Sequence, residues 1–179
     1  MEFKKAIAPL ALGMALALGG CASNIPLNYA PSSVMSAEGA LTVTDFRYLP
    51  AISGKVKPNQ IRNTAIGNAY FDQNVDVFFK DAVFKELRFV GMKLNDPNKV
   101  LGGEIDEFLI DDLGYSVDWT LRVKYVVTEA GTGKVMYEST KTTQRKTSKF
   151  ANVFGALNET IKLNVEEAMK DPQFMAAVK

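Results

Sequence analysis

Five carboxylates fall within nine residues of one another: Glu104, Asp106, Glu107, Asp111 and Asp112. A pair of acids flanking a sugar suffices for glycoside hydrolysis, and a loop of oxygen ligands can hold calcium. The spacing lacks a calcium-loop pattern and Asp111-Asp112 stands where a turn is needed, so a solvated strand and turn is the plainer reading. Four cations, Lys141, Arg145, Lys146 and Lys149, occupy a second run of nine residues. They suit the phosphates of lipid headgroups or lipopolysaccharide, or else form a charged connection before the last helix. Histidine is absent from the sequence, which removes Ser-His-Asp, Cys-His and His-zinc chemistry together. Gly102-Gly103 has no Lys-Ser/Thr after it and is not a phosphate loop. No catalytic residue, metal ligand or cofactor is assigned.

The single cysteine, Cys21, cannot form an internal disulfide, so folding rests on packing. Its setting gives it another chemistry. Lys4 and Lys5 precede an apolar stretch from Ala6 to Leu18, closed by Leu18-Gly19-Gly20-Cys21. This is the order of a charged region, an apolar region and a small-residue cleavage site in a secretory signal, and it is shorter than the roughly 20 apolar residues that span a bilayer. Leu18, Gly19, Gly20 and Cys21 resemble the lipobox of bacterial lipoproteins. That resemblance implies cleavage before Cys21, acylation of its thiol and new amine, and, with Ala22 next, forwarding to the outer membrane. Two or three acyl chains anchor a folded domain stably. The alternative is an ordinary secretory signal that leaves a free thiol.

Removing Glu2, Lys4 and Lys5 leaves 19 charges of each sign, so the mature chain is neutral and offers nothing to attract nucleic acid. The 179 residues suffice for one domain with a real core. The organisation expected is a signal peptide over 1–20, a flexible tether over 21–40 that contains Pro26 and Pro31, and a single domain over 41–179.

Within that domain, Leu41 to Leu49 reads as a strand, and a short strand is expected around Ile61 to Ile66. Val75, Phe78, Phe79, Ala82, Val83 and Leu87 keep the spacing of a one-sided helix, capped by Asp72 or Asn74 and ended at Gly91. Val100 to Ile110 is a strand, and the run from Tyr115 to Thr128 alternates apolar and polar residues almost throughout. A turn at Gly131-Thr132-Gly133 returns the chain through Lys134 to Thr143, completing a three-stranded meander. With odd-numbered residues inward, Leu101, Ile105 and Leu109 join the Trp119 row. The outer face then pairs Glu104 with Lys124, Asp106 with Arg122, Lys124 with Glu138 and Val126 with Met136. Phe150, Phe154, Leu157, Ile161 and Val165 mark a long helix, and Asp171-Pro172 restarts a short one. The fold class is α+β: an antiparallel or mixed sheet with two main helices on one face. Tyr115, Trp119 and Tyr125, with Phe78, Phe79 and Phe84, are either core or the lining of an apolar groove.

The lipobox, the helix ending KELRFVG at Lys85 to Gly91, the strands GGEIDEF and YSVDWTLRVKYVV, and the DPQFMAAV tail together resemble the small YajG-type outer-membrane lipoproteins. More loosely they resemble the auxiliary lipoproteins of envelope transport systems. The resemblance implies a fold and a location, and no activity. The expectation is a non-enzymatic lipoprotein of the outer envelope, facing the periplasm, that binds an envelope protein or lipid. A lipid or lipopolysaccharide carrier serving an ABC-type exporter would instead need a continuous apolar groove. A hydrolase acting through the acidic cluster would need only carboxylates.

Overall fold

The computed structural model describes residues 25–64 and 70–179. Leu18, Gly19, Gly20 and Cys21 lie outside the described residues, as does Ile66 at the end of the expected short strand. The elements run β1 (Thr42–Tyr48), α1 (Leu49–Ile52), β2 (Arg62–Asn63), α2 (Val75–Phe89), β3 (Lys99–Asp111), β4 (Ser116–Glu129), β5 (Val135–Ser148), α3 (Val153–Met169) and α4 (Pro172–Val178). The chain is α+β with a mixed sheet. Strand order is β1-β3-β4-β5, with β2 also on β3; β1 and β2 run parallel to β3, while β3, β4 and β5 are successively antiparallel.

One face of this sheet carries α2 and α3. Val117, Trp119, Leu121, Val123, Tyr125 and Val127 of β4 all point into that interface and are buried, whereas Asp118 and Arg122 on the opposite face are exposed. At its centre Phe46 of β1 meets Phe79 of α2 edge-on at 5.0 Å and Tyr125 at 5.9 Å. Each such side chain contributes about 1.5–3 kcal/mol on burial, more in edge-to-face pairs.

The register departs from expectation at two places, for local reasons. Glu104 does pair with Lys124, but a bulge between Ile105 and Glu107 makes Asp106 an extra residue and puts Glu107 opposite Arg122. A single inserted residue reverses the inward face. Phe108 and Ile110 are therefore buried where Leu109 was expected. In the second hairpin the turn closes between Glu129 and Lys134, and the ladder slips beside Val127. Lys124 consequently lies opposite Thr140 and Val126 opposite Glu138. A two-residue shift preserves the faces, and the Lys124 ammonium still reaches Glu138 at 3.2 Å and Glu104 at 3.9 Å.

Three ends also differ from the sequence reading. β1 ends at Tyr48, one residue short of Leu49, and the chain passes directly into α1 with Pro50 in its first turn. β5 continues to Ser148, five residues past Thr143, so Arg145 and Lys146 belong to a strand. α3 starts at Val153 because the Asn152 side chain accepts from the Phe154 and Gly155 amides, which leaves Phe150 outside the helix.

Residues 25–40, expected to be part of a loose tether, form a strap packed on the domain. Ile25 makes a parallel bridge to Phe71, and Ala40 one to Lys93. Leu27, Tyr29 and Ala37 are buried between these points. Odd-numbered residues from Ile25 to Gly39 are buried or half-buried and even-numbered ones up to Glu38 are exposed, the alternation of an extended strand, but Ser33 and Gly39 take inward places and Ala30 and Val34 outward ones, so the sequence carries no clear apolar period.

Candidate functional site

The strap is held by two buried carboxylates on facing helices. Glu86 sits on the inner side of α2 between Val83 and Leu87 and has no solvent exposure. Its oxygens accept from the Tyr29 hydroxyl at 2.6 Å and from the Ser32 and Ser33 amides at 3.0 and 3.3 Å. Glu166 of α3 accepts from the Ser33 hydroxyl at 2.8 Å, with Lys170 at 4.0 Å. Burial, reinforced by the bond to Glu86, pushes the Tyr29 hydroxyl far above its ordinary value, so it remains a neutral donor. Four donors thus converge on two helices and fix the path of the segment that follows Cys21. Sequence reasoning missed this latch. The available signal was an acidic residue on the apolar stripe of a helix, which is stable only with partners.

A second buried polar residue, Asn164 of α3, staples the helix to the sheet. Its amide nitrogen donates to the carbonyls of Leu121 and Lys141 and to the Thr143 hydroxyl, while its oxygen accepts from the Tyr125 hydroxyl at 2.8 Å.

The four cations singled out in the sequence do not form one patch, because β5 sends alternate side chains to opposite faces. Lys141 turns toward the helices and pairs with Asp171 at 2.7 Å, and Arg145 does the same with Glu159 at 2.7 Å and the Ala156 carbonyl at 3.0 Å. Lys146, on the open face, stands 3.4 Å from Asp118. Lys149 lies just past the strand, where its ammonium binds the carbonyls of Asp112 and Gly114 and ties the β3–β4 turn to the β5–α3 connection. Each of the four is thus engaged within the domain, two of them as bolts between β5 and the helices that cover it.

The acidic cluster is divided in the same way. Arg122 lies 3.4 Å from Glu107 and 3.9 Å from Asp106, and Arg47 lies 3.1 Å from Glu104. Partial burial raises the Asp106 carboxyl above the ordinary range, against the pull of Arg122. Asp111 accepts from the Thr64 hydroxyl, and Asp112 is 3.4 Å from Lys149. Asp111 and Asp112 stand at the end of β3, apart from the three acids on the open face.

The aromatic residues separate into core and surface. Trp119, Tyr125, Phe78 and Phe79 fill the space between sheet and helices where a carrier would need its groove. Tyr115 is fully exposed at the β3–β4 turn, and Phe84 lines a shallow open depression on the outer side of α2 with Pro31, Arg88 and Phe89.

No protein-family model matches the chain, and no curated protein sequence matches it. Solved structures do. A Xanthomonas campestris protein of the DUF330 family shares 13% identity over 86% of this chain and 96% of its own, with a TM-score of 0.64, which shows a common fold. The protein CT253 of Chlamydia trachomatis (11% identity, 79% of this chain and 94% of its own, TM-score 0.44) and lipoprotein GNA1162 of Neisseria meningitidis (11%, 72% and 99%, TM-score 0.33) overlay less completely, and nothing further rests on those two.

Proposed function

We propose that this chain is a lipid-anchored, non-enzymatic accessory protein of the bacterial envelope, carried on the outer membrane and facing the periplasm, that binds an envelope protein or lipid. The observation that carries the reading is the continuity between anchor and fold. A lipobox-like Leu18-Gly19-Gly20-Cys21 is followed, four residues on, by a strap bonded into the helix layer through Glu86 and Glu166. A chain built to be held by its acylated cysteine has a use for such an attachment.

The binding part of the reading rests on β5. It pairs with β4 on one side only, so the 14 residues from Val135 to Ser148 present an open strand edge among the described residues. Threonine and lysine recur along it, as on edges that recruit a chosen strand while discouraging indiscriminate pairing. The engagement of the acids with Arg122, Arg47, Thr64 and Lys149 favours a structural role for them over hydrolysis.

The test is labelling of cells with a palmitate analogue, followed by mild crosslinking, detergent extraction and mass spectrometry of the proteins and lipids recovered. Label on the parent that is lost in Cys21→Ser, together with a reproducible protein partner, supports the proposal. An unlabelled parent removes the anchor. Stoichiometric lipid recovered without protein would put a carrier in place of an accessory subunit.

A further inference from the structure

The strap fixes the end of the domain at which its own first residue lies. It runs from Ile25, bonded to Tyr70 and Asp72 just before α2 begins, past Asn28, whose carbonyl accepts from Asn158 near the start of α3, to Ala37, bonded to Val90 just after α2 ends. Its first residue therefore lies at the pole where both helices start. β1 ends at the same pole, because the loop that follows it supplies the Pro58 carbonyl to the Val75 amide. So does β3, parallel to β1, and with it the β3–β4 turn and the connection from β5 into α3.

That pole carries a concentration of exposed apolar side chains. Leu113 and Tyr115 stand on the β3–β4 turn, 72% and fully exposed, Phe150 on the connection into α3, 97% exposed, and Val153 and Phe154 at the first two positions of α3. Lys149 joins these two segments through the Asp112 and Gly114 carbonyls, so the apolar groups are displayed from one braced surface. Large exposed aromatic and aliphatic groups side by side on a monomer mark an interaction site, and tyrosine suits the boundary between headgroups and acyl chains.

The length of chain before the strap selects the occupant. From Cys21 to Ile25 is four residues, which span at most about 14 Å when fully extended. If Cys21 is acylated, Ile25 cannot lie farther than that from the lipid surface, and the pole that contains it must face the bilayer. We propose that Leu113, Tyr115, Phe150, Val153 and Phe154 form a membrane-contact surface that sinks into the interfacial region of the leaflet holding the anchor, fixing the orientation of the domain. The surface rests on the lipoprotein reading of Cys21. Its contact is apolar in the main, so zwitterionic lipid is enough to engage it.

The experiment uses the full-length protein isolated from membranes and reconstituted in phosphatidylcholine vesicles, with intact mass recorded first to establish acylation of Cys21. Nitroxide labels are placed through Tyr115→Cys, through Phe150→Cys, and through Thr132→Cys in the β4–β5 turn at the opposite pole. Collision with oxygen is expected to exceed collision with a water-soluble nickel chelate at 115 and 150, and the reverse at 132. Introducing Leu113→Ser and Phe154→Ser together should shift the label at 115 toward water while leaving the protein bound by its lipid. Acylated protein with labels at 115 and 150 as aqueous as that at 132 overturns the contact surface and leaves the anchor standing. An unacylated Cys21 overturns both.

Discussion

The hydroxyl of Tyr29 donates to the Glu86 carboxylate at 2.6 Å, joining residues 57 apart in sequence and closing the strap on the helices. A hydrogen bond to a buried charged group contributes more than an ordinary one, roughly 1.5–3 kcal/mol. Tyr29→Phe should therefore cost about that much in a urea titration. Glu86→Ala should cost more, because it leaves a hydroxyl and two amides without their acceptor. In both variants protease should cut within residues 25–40 faster than in the parent. Unchanged cutting would show that the apolar contacts of Leu27 and Ala37 hold the strap unaided.

Asn164 predicts a sharper loss. Replacing it with alanine removes three donor contacts and orphans the buried Tyr125 hydroxyl. A cost of about 2–4 kcal/mol is expected, with Tyr125→Phe nearer 1 kcal/mol because the asparagine amide keeps its sheet partners. Equal losses in the two variants would assign the stability to the tyrosine bond alone.

Gly103 and Gly131 form a matched pair of tests. A methyl group on Gly103 would collide with the Lys124 carbonyl oxygen on the neighbouring strand, whereas one on Gly131 would meet nothing within 4 Å. Gly103→Ala should lower stability by at least about 1–3 kcal/mol, as overpacking does, and Gly131→Ala should be close to neutral by thermal unfolding. Similar midpoints for the two would mean that β3 and β4 can part at Gly103 without penalty.

The Lys141–Asp171 pair supplies the pH dependence. Lys141 holds the Asp171 carboxyl below the ordinary carboxylate range, so its contribution is complete above the unfolded value near 3.9 and is lost as pH falls through the lower folded value. Burial alone would lower the Lys141 ammonium, but Asp171 and Tyr137 outweigh it and raise the group. That contribution is complete below about 10.4 and is lost as pH rises through the folded value. Stability from this pair should be level across neutral pH and fall at both extremes. Asp171→Asn retains an acceptor for the Gln173 amide at the start of α4 but removes the charge, so its urea midpoint should drop less than the parent's between pH 7 and pH 3.

Elements whose apolar residues recur with a period in the sequence were legible, and those without such a pattern were not. The β4 alternation identified the buried row from Val117 to Val127, though it began one place early at the exposed Tyr115, and the apolar stripe of α2 identified its inner face. Asp106 shows where such reading stops: a bulge inserts one residue without changing composition, and every inward residue after it moves by one. The strap shows the same limit on a larger scale, since Tyr29 and Ser33 are placed by carboxylates 57 and 133 residues away. For the basic residues the types were read correctly and their surroundings were not, because the length of β5 decides which face each one takes, and strand ends are weakly encoded.

The antiparallel packing of α3 on β5 and the course of the strap between the two helices have a mechanical side. Were the chain held at Cys21 and a partner at the β5 edge, as proposed, a load between them would enter at Ile25, pass along the strap into Glu86 and Glu166, and cross to β5 through Asn164 and Arg145. Such a force would run along the strap and the helices, straining several bonds together in shear and not peeling them apart one after another. The bonds that would carry it form one brace from Ile25 to the β5 edge.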